Sequence, residues 1–245
     1  MKVIVIIPAA GFGTRMGAAG AAATPARSKQ FLQLDGAPIL IHTLRKFAAC
    51  EAVDEICIAM RRADAEVFMP ELQKHGLKKA IQTVEGGEHR QQSVANALDA
   101  IKAAEDDVVL VHDAVRPFVD NETIVNVIEA ARRYGAAIAG VPAVDTIKQV
   151  ERTADGAVVT STIPREYIVQ AQTPQGFRFG LLKKAFDDAA AEGFLGTDES
   201  SLLERARHSV HVVMGSAHNI KITTPADLEL AEFFLAQENR RRTGA

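Results

Sequence analysis

Three continuously apolar runs constrain the fold of this 245-residue chain more than any other feature. They are VIVII from residue 3, ICIAM from residue 56 and VVLV from residue 108. A strand that is apolar at every position is covered on both faces, as in a parallel sheet between two layers of helices. Helical patterns separate these runs, and this alternation predicts an α/β fold with a doubly wound, mostly parallel sheet.

The same reasoning extends along the chain. Helices are predicted over residues 39–49, 65–76 (interrupted by a proline), 90–104, 121–135, 180–192 and 224–237. A further short helix is predicted to open at Thr197, and further strands at 79–86, 136–142, 210–215 and 219–223. Residues 238–245 are predicted to be a frayed tail. Since no repeat or second-domain boundary is evident, we expect residues 1–245 to form a single domain.

Residues 145–165 break the alternation of strands and helices. The pattern predicts a strand, a turn at Asp155-Gly156 and a second strand, which together form a hairpin. A hairpin at this point would project from the body of the protein. Projecting arms usually pack on another surface, so we expect this β-arm to join two copies of the chain in a homodimer.

Composition excludes several classes of partner. The net charge is −3, which gives no general attraction to nucleic acid or anionic membranes, and no apolar run approaches the roughly 20 residues of a membrane span. Cys50 and Cys57 lie in apolar contexts without metal-ligand spacing, which indicates reduced thiols in a cytoplasmic protein. Lys2 and the apolar run after it resemble the start of a signal peptide. Pro8 and Gly11 interrupt that run, so a buried first strand is favoured.

The loop after the first strand, PAAGFGTRMG, lies where α/β sheets bind their ligands. It lacks the third glycine of the dinucleotide fingerprint, since Met16 stands there, and it lacks the spacing of the Walker loop. Gly11 and Gly13 let backbone N–H groups approach a ligand, and Arg15 and Lys29 add fixed cations. The combination suits a triphosphate. The alternative is an ordinary turn with a surface arginine.

Other polar residues fall at the same edge of the predicted sheet. Gly87 follows one strand, and Arg90 and Ser93 lie one helical turn apart just beyond it. Asp113 and Arg116 follow the strand VVLV. A carboxylate beside a phosphate loop is a natural ligand for Mg²⁺, although a turn or helix-capping aspartate would give the same pattern.

Lys221 lies in the apolar segment NIKIT, where a lysine is costly unless it is paired or reaches a cleft. An exposed lysine on an edge strand is the alternative. The seven histidines share no spacing, so none is assigned to a metal or to catalysis. The polar groups are therefore mainly cations and backbone amides, which suit charge stabilisation on phosphates.

Seven segments carry a family resemblance: PAAGFGTRMG, SKQF, EGGEHRQQSV, VLVHDAVRPF, VQAQTPQGF, TDESSLLE and NIKITTPADLELAE. In this order they resemble the 2-C-methyl-D-erythritol 4-phosphate cytidylyltransferases over almost the whole chain. The resemblance implies a Rossmann-like nucleotidyltransferase fold, a Mg²⁺ requirement and a homodimer clasped by the β-arm. It also implies transfer of CMP from CTP to 2-C-methyl-D-erythritol 4-phosphate, with release of pyrophosphate.

The resemblance also assigns roles to individual positions. Arg15 and Lys29 match catalytic cations beside the triphosphate. The positions that match cytosine recognition are Ala9, Ala10, Gly87 and Ser93. Asp113 matches an aspartate near the metal and the sugar hydroxyls, with Arg116 beside it. The positions that match other substrate or nucleotide contacts are Thr173, Thr197 and Lys221, the last counted with Asp113 among the catalytic groups. Thr146 and Arg165 match arm residues that reach the partner's sugar-phosphate site.

Two departures and three alternatives accompany the resemblance. Residues 16–28 are longer than expected for the family, and Glu88 stands where aspartate is common. A ribitol-5-phosphate cytidylyltransferase would share the HDAVRP type of motif. A catalytically silent nucleotide-binding protein would not need Arg15, Lys29 and Asp113. A dehydrogenase is disfavoured by Met16 and by the second strand, which ends in AMRR without an acidic residue.

Overall fold

The computed structural model describes residues 1–11 and 28–243. Its strands are β1 (Val3–Pro8), β2 (Gln33–Leu34), β3 (Ala37–Pro38), β4 (Glu55–Met60), β5 (Ala80–Glu85), β6 (Val108–Val111), β7 (Ala136–Pro142), β8 (Ile147–Thr153), β9 (Gly156–Ile163), β10 (Val169–Arg178) and β11 (His211–Met214). Its helices are α1 (Ile39–Ala49), α2 (Arg62–Lys74), α3 (Arg90–Ala100), α4 (Asn121–Tyr134), α5 (Phe179–Ala191), α6 (Glu199–Arg205) and α7 (Pro225–Thr243).

Within these residues, a seven-stranded sheet has the order β11-β7-β10-β6-β1-β4-β5. Neighbouring strands are parallel except around β10, which runs antiparallel to both β6 and β7. The predicted doubly wound, mostly parallel sheet is therefore confirmed. The sequence pattern gave no sign of the antiparallel strand, which inserts between two strands that run in the same direction.

The first strand shows why this fold forms. Every residue from Val3 to Ile7 is fully buried. Val3, Val5 and Ile7 pack in a cluster with α1, α2 and α4, whereas Ile4 and Ile6 pack in a second cluster with α3, α5 and α6. Alternate residues of a strand point to opposite faces of the sheet, so both faces are covered by helices. Full burial of each such side chain contributes about 1.5–3 kcal/mol.

Two predicted helices differ in extent from the structure. α2 continues through Pro70 without a break, and α3 ends at Ala100 rather than at residue 104. The earlier end of α3 follows from a local turn, in which the carboxylate of Asp107 accepts a hydrogen bond from the backbone N–H of Ala104.

The C-terminal region also differs from its prediction. Residues 238–243, predicted as part of a frayed tail, continue α7. The Lys46 ammonium pairs with Glu238 at 2.8 Å and ties this part of α7 to α1. The segment NIKIT is not a strand. Instead the Asn219 side chain donates to the carbonyl of Thr173 and the Asn219 carbonyl accepts from Arg116, contacts that replace a strand ladder.

The predicted hairpin is present as β8 and β9, which pair antiparallel from Ile147↔Ile163 to Thr153↔Gly156. Nearly all of its residues are exposed, including Val158 and Val159. Across the described residues, no helix combines the length and apolar character that a bilayer crossing needs. Both cysteines are free and buried, as expected from their apolar contexts.

The start of α4 provides a test of the local folding argument. The Asp120 carboxylate accepts a hydrogen bond of 2.7 Å from the backbone N–H of Thr123, which makes Asp120 the N-cap. We expect Asp120→Ala to lower the free energy of unfolding by about 1 kcal/mol, as measured by urea denaturation. Lys78→Ala, at an exposed position between α2 and β5, is the control and should leave stability unchanged. Equal effects of the two substitutions would contradict the capping role.

Candidate active site

A cavity of about 260 Å³ opens at the carboxyl ends of β1, β5 and β6. This is the edge at which α/β sheets bind ligands. The residues around it are Pro8, Ala10, Gly11, Lys29, Gln30, Gly87, Glu88, His89, Arg90, Ser93, Asp113, Ala114, Val115 and Lys221. The fold therefore brings together eight of the residues that the sequence singled out, from segments more than 200 positions apart.

Asp113 is the centre of the charged groups. Its Oδ2 accepts from the Lys221 ammonium at 2.9 Å and from Arg116 Nε at 3.3 Å. Its Oδ1 accepts from Arg90 Nε at 3.3 Å. Burial would raise the pKa of this carboxyl, but the charges of Arg90, Lys221 and Arg116 hold the pKa well below its usual range. Asp113 is therefore ionised and gathers three cations at the cavity.

Glu199 is a member of this cluster that sequence reasoning missed. It begins α6 and is 1% exposed, and its Oε1 accepts from Arg90 Nη1 at 2.6 Å. Burial raises the pKa of Glu199, although the charge of Arg90 opposes this shift. Glu199 thus fixes the far side of the Arg90 guanidinium while Asp113 contacts its near side. The TDE segment was the available signal, but the sequence could not place it against Arg90.

Asp198, rather than Thr197, caps α6, because its carboxylate accepts from the backbone N–H of Ser201 at 3.0 Å. The prediction that Thr197 opens this helix is therefore wrong. Thr197 is exposed and is not among the residues that line the cavity.

His112 and Thr173 lie behind Asp113 in a buried hydrogen-bond chain. The Asp113 N–H donates to Thr173 Oγ1 at 3.1 Å, and Thr173 Oγ1 lies 3.1 Å from His112 Nδ1. His112 Nε2 lies 3.0 Å from the Arg116 carbonyl. A carbonyl can only accept, so Nε2 carries the proton and Nδ1 accepts from the Thr173 hydroxyl. Burial lowers the pKa of His112 to about 4, which keeps the ring neutral.

Two of the predicted cytosine-recognition residues use their polar groups within the protein. The Ala9 N–H donates to Ala59, and the Ala9 carbonyl accepts from Gln30 Nε2 at 2.5 Å. Ser93 Oγ accepts from the Gly87 N–H at 3.0 Å and donates to the His89 carbonyl at 3.1 Å. Ala9 therefore stands behind the cavity, whereas Ser93 borders it and holds the glycine loop in place.

The N-terminus of α3 also borders the cavity, through His89 and Arg90. Among residues 1–11 and 28–243, no side chain caps this end of the helix, and its first turn contains no acidic residue. Backbone N–H groups at a helix N-terminus and the helix dipole together favour an anion. The sequence identified Arg90 and Ser93 here but not the uncapped helix end.

The remaining predicted residues lie elsewhere. Gly13 and Arg15 fall outside the described residues. Thr146 and Arg165 are exposed on and beside the hairpin and do not line the cavity of their own chain. Arg165 Nη1 donates to the carbonyl of Val144 at 2.7 Å, which places its guanidinium at the base of the hairpin.

The donor set around Asp113 limits how a metal could bind. Among residues 1–11 and 28–243, no group of three or more His, Cys, Asp or Glu side chains is placed to hold a metal ion. Mg²⁺ commonly binds through one or two carboxylates together with substrate phosphates. The single Asp113 carboxylate fits a Mg²⁺ ion that enters with a polyphosphate, and it does not fit a resident metal held by protein ligands alone.

A doubly wound sheet whose carboxyl edge carries a cation cluster, a glycine loop and an uncapped helix end defines a nucleotide-binding enzyme of the nucleotidyltransferase class. Residues 3–237 match the model of one family in that class, 2-C-methyl-D-erythritol 4-phosphate cytidylyltransferase (IspD). This chain belongs to that family.

Individual relatives agree with this assignment. The 2-C-methyl-D-erythritol 4-phosphate cytidylyltransferase of Acidobacterium capsulatum is 56% identical, over 98% of this chain and 100% of its own. A Francisella tularensis enzyme of the same name has a solved structure that is 38% identical, with a TM-score of 0.77 over 95% of this chain and 99% of its own. A solved 4-diphosphocytidyl-2C-methyl-D-erythritol synthase from Anaerococcus prevotii is 30% identical, with a TM-score of 0.80 over 96% of both chains.

The buried neutral His112 predicts a pH dependence of stability. Between pH 6.5 and 4 the unfolded chain protonates this ring and the folded protein does not, so the free energy of unfolding should fall as the pH falls through that window. The fall in the free energy of unfolding due to His112 should total about 3 kcal/mol across this window, at about 1.36 kcal/mol per pH unit.

Urea denaturation at pH 4.5 and 7.5 checks this expectation. His112→Asn should lose less stability than the wild type between these two values, because it cannot bind the proton. His208→Asn, at an exposed histidine, should behave as the wild type does. The same pH slope in all three proteins would contradict the argument.

Proposed function

We propose that this chain transfers CMP from CTP to 2-C-methyl-D-erythritol 4-phosphate, giving 4-CDP-2-C-methyl-D-erythritol and pyrophosphate. Membership of the family supports the overall reaction. The observation that carries the mechanism is the cation cluster at the cavity, where Arg90 and Lys221 contact Asp113 and Lys29 lines the same cavity.

The chemistry needs charge stabilisation more than proton transfer. The attacking group is a phosphate monoester, whose second pKa is about 6, so it is mostly dianionic near neutral pH. Such a nucleophile requires no general base. The barrier lies in bringing two anions together and in stabilising the charge that develops on the α-phosphate during in-line attack. Preorganised cations and backbone amides provide that stabilisation, and we assign this role to Arg15, Lys29 and Lys221.

Nucleotide binding is assigned to the first loop, the glycine loop after β5 and the start of α3. Ala10, Gly11, Gly87 and Arg90 line the cavity and are proposed to contact CTP, together with Gly13 from the first loop. Gly87 carries no side chain, so its backbone can come close to a ligand, and a Cβ at this position would also clash with the side chain of Gln92. Ala9 and Ser93 are proposed to support base recognition by holding these segments, since their own polar groups are bonded within the protein.

The sugar-phosphate end is assigned to the other side of Asp113. Arg116 donates to Asp113 and to the Asn219 carbonyl, so its guanidinium is fixed beside the carboxylate. Thr173 is proposed to support Asp113 from behind, and the exposed Thr197 is proposed as a further substrate contact. Mg²⁺ is the proposed cofactor, held by the CTP phosphates and Asp113, and when bound it would neutralise phosphate charge. The family match favours methylerythritol phosphate over ribitol phosphate as acceptor.

Two free, buried thiols support a reducing compartment, and we propose a cytoplasmic location on that ground. Partners other than the two substrates and a second copy of the chain are not proposed. In particular, the net charge of −3 offers no general attraction to nucleic acid.

Lys29 provides the first test of the mechanism. We expect Lys29→Ala to lower kcat by about two orders of magnitude, the scale found when one preorganised electrostatic donor is removed, and to weaken CTP binding less. Pyrophosphate release measures turnover, and calorimetry measures CTP affinity. Lys74→Ala removes an exposed lysine of α2 and should change neither quantity. Loss of CTP affinity with normal turnover at saturation would show that Lys29 serves binding alone.

The exposed apolar side chains of the hairpin support the proposal that the protein is a homodimer. These side chains are unusually open for a single chain: Val158 is 59% exposed, Val159 is 56% exposed and Tyr167, just beyond β9, is 83% exposed. Covering them would remove apolar surface from water. We propose that the β-arm crosses to a partner subunit, where Thr146 and Arg165 complete the partner's sugar-phosphate site.

Subunit exchange tests this crossed arrangement. Lys29→Ala and Arg165→Ala dimers should each be inactive. If Arg165 serves the partner's site, a mixed dimer has one site with both substitutions and one site with neither. Random pairing makes about half of the dimers mixed, so activity should recover to roughly a quarter of wild type. Native mass spectrometry confirms exchange. No recovery in a fully exchanged sample would place Arg165 in the site of its own subunit.

A further inference from the structure

His112 is fully buried and does not line the cavity, yet its ring is linked by hydrogen bonds, directly or through Thr173, to both ends of the turn that carries two site residues. The turn begins at Asp113 and ends at Arg116, whose backbone N–H donates to the Asp113 carbonyl at 3.1 Å. Through Thr173, Nδ1 of His112 connects to the N–H of Asp113. Through Nε2, the ring bonds directly to the carbonyl of Arg116.

We propose that His112 is a positioning residue for the transfer reaction, because its two ring nitrogens fix the Asp113–Arg116 turn and thereby the cation cluster. The proposal rests on the proposed function, since the reaction is one of its readouts. The hydrogen bonds that link Asp113, Thr173, His112 and Arg116 are mutually consistent: each N–H or O–H has an acceptor, and each acceptor has a donor. A buried hydrogen-bond network in which every donor and acceptor is paired is rigid and has one arrangement.

The surroundings of the ring strengthen this inference. The His112 ring and the Phe47 ring of α1 pack edge to face, with ring centroids 4.7 Å apart, so the imidazole cannot rotate without displacing a buried aromatic side chain. The carbonyl of Thr173 accepts from Asn219, whose own carbonyl accepts from the Arg116 guanidinium. The ring therefore anchors a closed loop of contacts around the turn. A displacement of about 1 Å in such a site can cost about a hundredfold in rate.

Two substitutions of His112 each remove one of the two hydrogen bonds of the ring. His112→Asn retains an oxygen near the position of Nδ1, so it keeps an acceptor for Thr173 and loses the bond to Arg116. His112→Gln retains a donor near Nε2 and loses the acceptor for Thr173. We expect each variant to lower kcat/KM for the transfer reaction by about ten- to a hundredfold.

His42 is a matched control. It is also buried, and its Nε2 bonds to the carbonyl of Leu34 at 2.7 Å, but it does not line the cavity. His42→Asn and His42→Gln should lose stability to urea comparable to that of the His112 variants and retain wild-type kcat/KM. An equal loss of activity in both sets would show that His112 acts through general stability and would overturn the proposal.

The pairing of His112 with Thr173 is tested separately. Thr173→Ser keeps the hydroxyl and should remain within about threefold of wild type, whereas Thr173→Val should fall at least as far as His112→Gln, because it also removes the acceptor of the Asp113 N–H. Because these two changes break the same hydrogen bond, the double variant should be no worse than the poorer single variant by more than about threefold. If the losses of kcat/KM in the two single variants multiply in the double variant, the proposed hydrogen-bond link between His112 and Thr173 is wrong.

A spectroscopic measurement needs neither activity nor a His112 variant. Nitrogen NMR of histidine-labelled protein should show His112 protonated at Nε2 and unprotonated at Nδ1, and the Nδ1 signal should shift in Thr173→Val. The opposite tautomer would overturn the inference. Failure of the wild type to release pyrophosphate with CTP and methylerythritol phosphate would instead refute the proposed function and leave the tautomer result valid.

Discussion

The site depends on one buried anion. Asp113 is 7% exposed and accepts from Arg90, Arg116 and Lys221. Without its charge, three cations would face one another across a partly buried cavity. An unpaired buried charge is costly, and within the described part of the chain only Arg90 would keep a carboxylate partner, Glu199. Asp113 therefore makes it possible for the fold to keep several positive groups close together where an anionic nucleotide can meet them.

The groups that hold Asp113 come from distant parts of the chain. Its carboxylate meets Arg90 from α3 and Lys221 from the segment before α7, while its backbone bonds to Thr173 of β10. Glu199 adds a second carboxylate behind Arg90 and balances part of the positive charge. The strand order brings these elements to one edge of the sheet, and this places their charged side chains together.

Much of this arrangement follows from sequence, and the exceptions have physical reasons. Apolar runs predicted the sheet and its two helical layers, and the loop after the first strand and the end of the strand VVLV predicted Lys29 and Asp113 at one sheet edge. Glu199 and His112 could not be assigned, because their importance arises from burial and from partners that are distant in sequence. Lys221 lies at the site although its segment, NIKIT, does not form the predicted strand. Hydrogen bonds of Asn219 with Arg116 and Thr173 hold this segment in place of strand pairing.

The pairing of β10 with β7 has an interruption between Ala171 and Gln175. Thr173 lies within it, where its carbonyl bonds to Asn219 in place of a neighbouring strand. On one side of the interruption β10 is paired deep in the sheet, and on the other it leads back to the hairpin. The two stretches therefore hold separate registers. Thr173 is thereby released from the ladder, so that its hydroxyl accepts from the Asp113 N–H and its carbonyl accepts from Asn219, and a break in the sheet supplies two of the contacts that hold the site.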